Sequence, residues 1–116
     1  MAGSKSDWNE ARILNEENRG AASVLGASVH VALYSVAPGE AGGGTRVTQV
    51  PVLAVTRNAT NWTDAATPPQ SNAVALTFAA ATADGADVVA FQTFADAGLT
   101  QPLRYGTVTN PQPVRA

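Results

Sequence analysis

Val29-His30-Val31-Ala32-Leu33-Tyr34-Ser35-Val36-Ala37-Pro38-Gly39-Glu40-Ala41-Gly42-Gly43-Gly44-Thr45-Arg46-Val47 reads as a strand, a proline-opened turn, a glycine-rich loop and the start of a second strand. Val29, Val31 and Leu33 alternate with His30, Ala32 and Tyr34, the period of two that gives a sheet two distinct faces. Pro38 removes a ladder donor and ends the first strand. Gly42 to Gly44 admit backbone angles that side chains forbid. The stretch therefore predicts a hairpin and, with it, a β domain.

Upstream, residues 7–19 read as a helix. Ser6 or Asp7 supplies a cap, Glu10 places negative charge near the N-terminus, and Gly20 stands at the C′ position. Trp8, Ala11 and Leu14 or Asn15 share a narrow apolar stripe with Ile13 to its side, too little to hold a short helix without a docking surface. Small residues from 20 to 27 make a connector. Downstream, strands are predicted over 28–36, 46–56, 73–79, 87–95 and 102–109. Pro51 makes the second of these an edge strand or a bulged one. Asn, Thr and the Pro68-Pro69 pair mark 58–72 as a long surface loop, and Asp84-Gly85 and Ala97-Gly98 mark turns. Short strands divided by such turns indicate a mainly β fold, a small β-sandwich or jelly-roll-like domain with a short N-terminal helix or arm. The expected division is an arm or helix over 1–20 and the sandwich-like domain over 21–116. Val31, Leu33, Leu76, Phe78, Phe91 and Tyr105 are the expected core.

Composition narrows the function. The chain has 116 residues, 45% of them hydrophobic, much of that alanine, but only 6% aromatic, so its core is expected to be thin and built mainly from Val, Leu and a few aromatics. Charged residues make up 14%, well below the usual quarter of a soluble protein, which predicts that part of the surface faces other subunits. A net charge of −2 lacks the basic face that nucleic acid requires. The polar start argues against a secretory signal, and no apolar run approaches the length of a membrane span. With no cysteine there are no disulfides, no thiol catalysis and no cysteine-held zinc.

The residue types able to carry chemistry have simpler roles here. His30 is the only histidine and alternates with apolar residues, so it reads as a structural strand residue rather than a general base. Asp84, Asp87 and Asp96 lie at turns without the spacing of a calcium loop. Glu16 and Glu17 beside Arg12 and Arg19 are solvated helix charges. Gly42-Gly43-Gly44-Thr45 is followed by a strand and lacks a lysine, so it does not form a phosphate loop. The Asn58 and Asn61 glycosylation patterns read as chance matches in a polar loop. No catalytic residue, metal ligand or cofactor is expected. The candidates that remain are interface residues: Trp8 and Ile13 on the helix, Trp62 in the polar loop, and Arg46 and Arg57, whose planar charge suits desolvated contacts.

Three runs in order along most of the chain carry a family resemblance. The first is Val31 to Ser35, Ala37-Pro38, Ala41 to Thr45 and Val47. The second is Ser71 to Ala73, Leu76 to Phe78 and Ala81 to Asp84. The third is Phe91, Phe94 to Ala97, Leu103 and Tyr105-Gly106, with Pro113-Val114 near the end. In these the chain resembles short virion proteins of tailed bacteriophages, usually labelled tail fibre proteins. The resemblance implies a non-enzymatic structural part of a phage particle, made in the bacterial host cytoplasm. It also implies a last strand after Pro113-Val114 that this chain does not carry, so an open sheet edge or one completed by a neighbour is expected. A single short domain without shaft repeats or heptads suits a capsid decoration (cement) protein, with a minor tail or tail fibre protein in host attachment as the alternative. The expected partners are accordingly the major capsid protein or tail proteins, together with further copies of the chain. A carbohydrate-binding module built on Trp62 is the reading from another class.

Overall fold

The computed structural model describes residues 4–62 and 74–116. Its elements are β1 (Ser4–Lys5), α1 (Asp7–Arg19), β2 (Ser28–Val36), β3 (Thr45–Arg46), β4 (Leu53–Thr56), β5 (Gly85–Phe94) and β6 (Pro102–Val114). All six strands join in one antiparallel sheet in the order β1-β6-β5-β2-β3, with β4 also on β2. His30 and Val31 are paired with Phe94 and Thr93 of β5 and also with Ala54 and Leu53 of β4. So β3 and β4 lie end to end along one side of β2, and β5 fills the other. The mainly β class with one N-terminal helix is as the sequence predicts.

The opening hairpin forms as read. Tyr34 pairs with Arg46 and Val36 with Thr45, with an irregularity between the two pairs. Gly39 and Gly42 exchange two backbone hydrogen bonds of 2.9 and 3.0 Å inside the loop. Gly42, Gly43 and Gly44 all have positive φ. At Gly44 a Cβ would lie 2.5 Å from the Val36 carbonyl oxygen and 2.8 Å from the Pro38 nitrogen, both backbone atoms that cannot swing aside.

Two expected strands turn out otherwise. The predicted 46–56 strand is split into β3 and β4, and Pro51 sits in the gap. A proline has no N–H for the ladder, so the chain leaves β2 there and returns. The detour supplies the core: Val47 and Val50 pack on one cluster and Val52 on another. Residues 74–79 form no strand, and residue 73 lies outside the described residues. Leu76 and Phe78 are nevertheless half-buried between exposed neighbours. An extended segment laid over a sheet keeps a period of two without joining the ladder, which is why the pattern alone reads as a strand. The long loop expected over 58–72 falls outside the described residues from 63 onward.

The core occupies both sides of the sheet. Ala32, Tyr34, Ala90 and Phe94 form one cluster, covered by Val52 and Leu99. On the opposite face Val47, Val88 and Val114 pack with Leu33, Val50, Ala81 and Val108. Of the expected core only Val31 is fully buried, and Leu33, Leu76, Phe78, Phe91 and Tyr105 are half-buried. Phe94, at 3% exposed, is the deeply buried phenylalanine. The reason is register: Phe91 lies opposite Leu33, whereas Phe94 shares the face of Ala32 and Tyr34 that Leu99 closes.

The loop joining β5 to β6 is held by one carboxylate. Asp96 accepts from the backbone N–H groups of Thr100 (3.0 Å) and Gln101 (2.9 Å) and from the Thr100 hydroxyl (2.5 Å). Desolvation pushes the Asp96 pKa up, but these hydrogen bonds outweigh it and hold the carboxyl below its usual range. Leu99, at φ 58, turns its side chain onto the first core cluster.

At its N-terminus α1 is clamped to this same hairpin. Ser6 caps the helix, its Oγ accepting from the Asn9 N–H at 3.1 Å and donating to the Pro102 carbonyl. The Ser6 N–H and the Asn9 side-chain amide both donate to the Leu103 carbonyl, at 2.9 and 3.1 Å. The Asp7 N–H donates to the Glu40 carbonyl of the glycine-rich loop at 2.9 Å. At the other end Gly20 adopts φ 67, and its N–H and that of Ala21 donate to the Asn15 carbonyl. The buried helix residue is Asn9, not the Trp8–Ala11–Leu14 stripe that the spacing proposes. Polar contacts to two strand carbonyls hold this helix, so an apolar stripe is a poor guide to its inner face.

Three outcomes are expected. Phe94→Ala should lower unfolding free energy in urea by about 3–5 kcal/mol, and by more than Phe91→Ala does. Asn9→Ala should cost about 1–3 kcal/mol, and hydrogen exchange should show α1 opening before the central strands. The depressed Asp96 pKa contributes stability that is complete above the unfolded carboxylate pKa and vanishes as pH falls through the lower folded value. Asp96→Asn should therefore be less stable than wild type at neutral pH, with the gap closing in acid when melting temperatures are compared.

Candidate functional site

The feature that stands out from the sheet is α1. Its first turn is clamped, while Ala11, Leu14, Asn15, Glu17, Asn18 and Arg19 are all exposed. Leu14 is 57% exposed, the most open large apolar side chain among the described residues. A 13-residue helix is marginal in water, and here capping and the basal hydrogen bonds do the work that an apolar face ordinarily does.

A groove runs along each flank of the helix. Trp8 and Ala11 face Ala21, Ala22 and Val24 of the connector across a groove of about 230 Å³. On the other flank Ile13 and Leu14 line a groove of about 350 Å³ with Lys5, Glu10 and Glu17. Charge divides the flanks further. Arg12 lies within 2.6 Å of Glu16 and also donates twice to the Asn9 side-chain oxygen, at 2.9 and 2.7 Å. Glu10 and Glu17 have no ion-pair partner among the described residues. The helix carries four carboxylates (Asp7, Glu10, Glu16 and Glu17) and two guanidinium groups (Arg12 and Arg19). The chain has seven cationic and nine anionic side chains, so five of each lie outside α1 and cancel. The whole excess of −2 therefore resides on the helix.

The five interface candidates are not gathered together. Trp8 and Ile13 share α1 but line opposite grooves. Arg46 lies on β3 opposite Tyr34, its Nε buried without a hydrogen-bond partner among the described residues. Burial raises the Tyr34 pKa, the nearby Arg46 charge works against that rise, and the hydroxyl donates to Gln92 Oε1 at 3.1 Å. Arg57 ties the end of β4 to the connector, its Nη1 donating to the Gly26 carbonyl at 2.5 Å and its N–H to Ala27 at 2.9 Å. Trp62 is half-buried, with Nε1 in the interior and its backbone N–H donating to Asn58 at 3.2 Å.

Of the three aspartates expected at turns, Asp87 lies exposed within β5, and the other two act within the chain. Asp84 accepts from the Ala116 N–H at 2.9 Å and Asp96 closes its own loop. Among the described residues no three His, Asp or Glu side chains are grouped to hold a metal ion, and no helix is long and apolar enough to cross a membrane.

Sequence reasoning read Ser6 as a possible cap but passed over Asn9 as an anchor and Leu14 as an exposed apolar residue. The first was detectable, since Ser6 and Asn9 have the spacing of a capping pair with a polar residue at the third helical position. The second was not, because an isolated leucine at helical spacing gives no sign of which way it faces.

A search of curated proteins finds no match to the chain. The family described as podophage GP4 fiber I protein gp80 matches residues 4–116, from the first residue of β1 to the last of the chain. The protein is therefore a member of the podophage fiber I protein gp80 family, a family of phage fibre structural proteins.

Proposed function

We propose that this protein is a non-enzymatic fibre component of a podophage tail, made in the host cytoplasm and built into the particle through contacts with tail proteins and with further copies of itself. The observation that carries the reading is the match to a fibre family along 4–116, which takes in every described element. The structure is compatible with it. A sheet covered on both faces by its own loops makes a rigid module, and a helix clamped only at its base makes an attachment point. The low charged fraction of 14% favours surfaces that lie against neighbours.

Capsid decoration is the second reading. It draws on these 116 residues holding no shaft repeats or heptads, since a β module of this kind can sit repeatedly over subunit joints. The carbohydrate-module reading draws less support, because Trp62 is half-buried with its Nε1 turned inward and offers only part of its ring for stacking on sugar.

Quantitative mass spectrometry of purified particles and gold-labelled electron microscopy test the assignment. A few copies confined to the tail are expected. Particles made without the protein should keep their thermal stability and lose adsorption to host cells. Hundreds of copies spread over the head, with DNA released at a lower temperature when the protein is missing, would replace the fibre reading by the decoration reading.

A further inference from the structure

We infer that the flank of α1 formed by Glu10, Ile13, Leu14 and Glu17 docks onto another protein of the particle, in an apolar pocket rimmed by lysine or arginine. The inference rests on the virion reading above and names the chemistry of the contact. Glu10, Leu14 and Glu17 are spaced i, i+4, i+7, so they lie along one flank with Ile13 beside them. With Lys5 they line the larger groove, about 350 Å³, with one carboxylate a turn before the apolar pair and one a turn after it, so the groove carries a net negative charge. Leu14 is more than half exposed and has the half-buried Ile13 beside it, so docking of an apolar surface here would remove apolar area from water.

Charge selects the occupant. The two carboxylates are unpaired among the described residues, and α1 holds the whole net charge of the chain. A second copy packed Leu14 against Leu14 would bring four such carboxylates against only the two Lys5 ammonium groups, leaving a net excess of like charge across the contact, which is destabilising. A surface with cationic groups at the rim and an apolar centre pairs both features at once. The Trp8 groove has no comparable rim, because its carboxylate, Glu16, is already bound to Arg12. The clamp at Ser6 and Asn9 presents the flank in a fixed orientation, so little ordering is needed on docking.

The probe is the phage particle produced without this protein, to which purified full-length chain is added and co-sedimentation measured over a range of salt. Wild type should bind, and more weakly as ionic strength rises. Glu10→Lys/Glu17→Lys and Leu14→Asp should each weaken binding about tenfold or more while keeping the wild-type circular dichroism. A charge-matched control on the sheet and loop, Glu40→Lys/Asp87→Lys, should bind within about twofold of wild type. Binding unchanged in both α1 variants would overturn the inference and leave the virion reading standing. Sedimentation velocity showing a wild-type oligomer that Leu14→Asp disperses would overturn it in favour of a second copy. Failure of the wild-type chain to bind particles at all would overturn the virion reading itself, and the inference with it.

Discussion

At His30 and Val31 the strand β2 is paired on both sides, with β5 and with β4, and the rest of the molecule is arranged around that double pairing. A strand with both edges occupied cannot shift register without breaking two ladders, so it fixes which side chains face each side of the sheet. Ala32 and Tyr34 go to one cluster and Leu33 to the other, and every loop that covers the sheet is placed by those two faces. The small side chains matter here. Ala32 and Ala90, at 1% and 0% exposed, let the covering Val52 and Leu99 approach closely, so a core with few aromatics still excludes water.

The helix is attached on a different principle. Nearly all helices in globular proteins are held by an apolar face, yet here the buried residues are Ser6 and Asn9. They satisfy the carbonyls of Pro102 and Leu103 at the start of β6. Beside them β1 pairs Ser4 with Tyr105 and Lys5 with Arg104, covering part of the outer edge of β6. Buried hydrogen bonds are directional, so they fix the angle at which α1 leaves the sheet without consuming its apolar side chains. Ile13 and Leu14 are left available as a consequence.

Electrostatics separates the two parts in the same way. The sheet and its loops are balanced in charge, and the excess of negative charge is confined to the projecting helix. A neutral module with one charged projection can pack by shape over most of its surface and be oriented at one place by charge. For a member of a fibre protein family that combination favours a defined attachment over nonspecific association.

Much of this was legible in the residues. The hairpin of β2 and β3, the cap at Ser6, the C′ glycine at Gly20 and the turn at Ala97-Gly98 all follow from local stereochemistry, which short-range sequence controls, whereas the turn read at Asp84-Gly85 lies just upstream, at 82–83, and Gly85 opens β5. The family too was readable, because its runs lie in order along the chain. Tertiary structure decided the rest. Only β2 could determine that 46–56 pairs at its two ends and loops out at Pro51, and only register could bury Phe94 in place of Phe91. The inner face of α1 depended on two carbonyls more than ninety residues away, which no helical periodicity encodes. Local sequence determined where the helix starts and stops and where the chain turns, because caps, prolines and glycines act within a few bonds. Which side each element turns to solvent, and therefore the exposed Leu14 flank, was decided by long-range hydrogen bonds that exist only once the sheet has assembled.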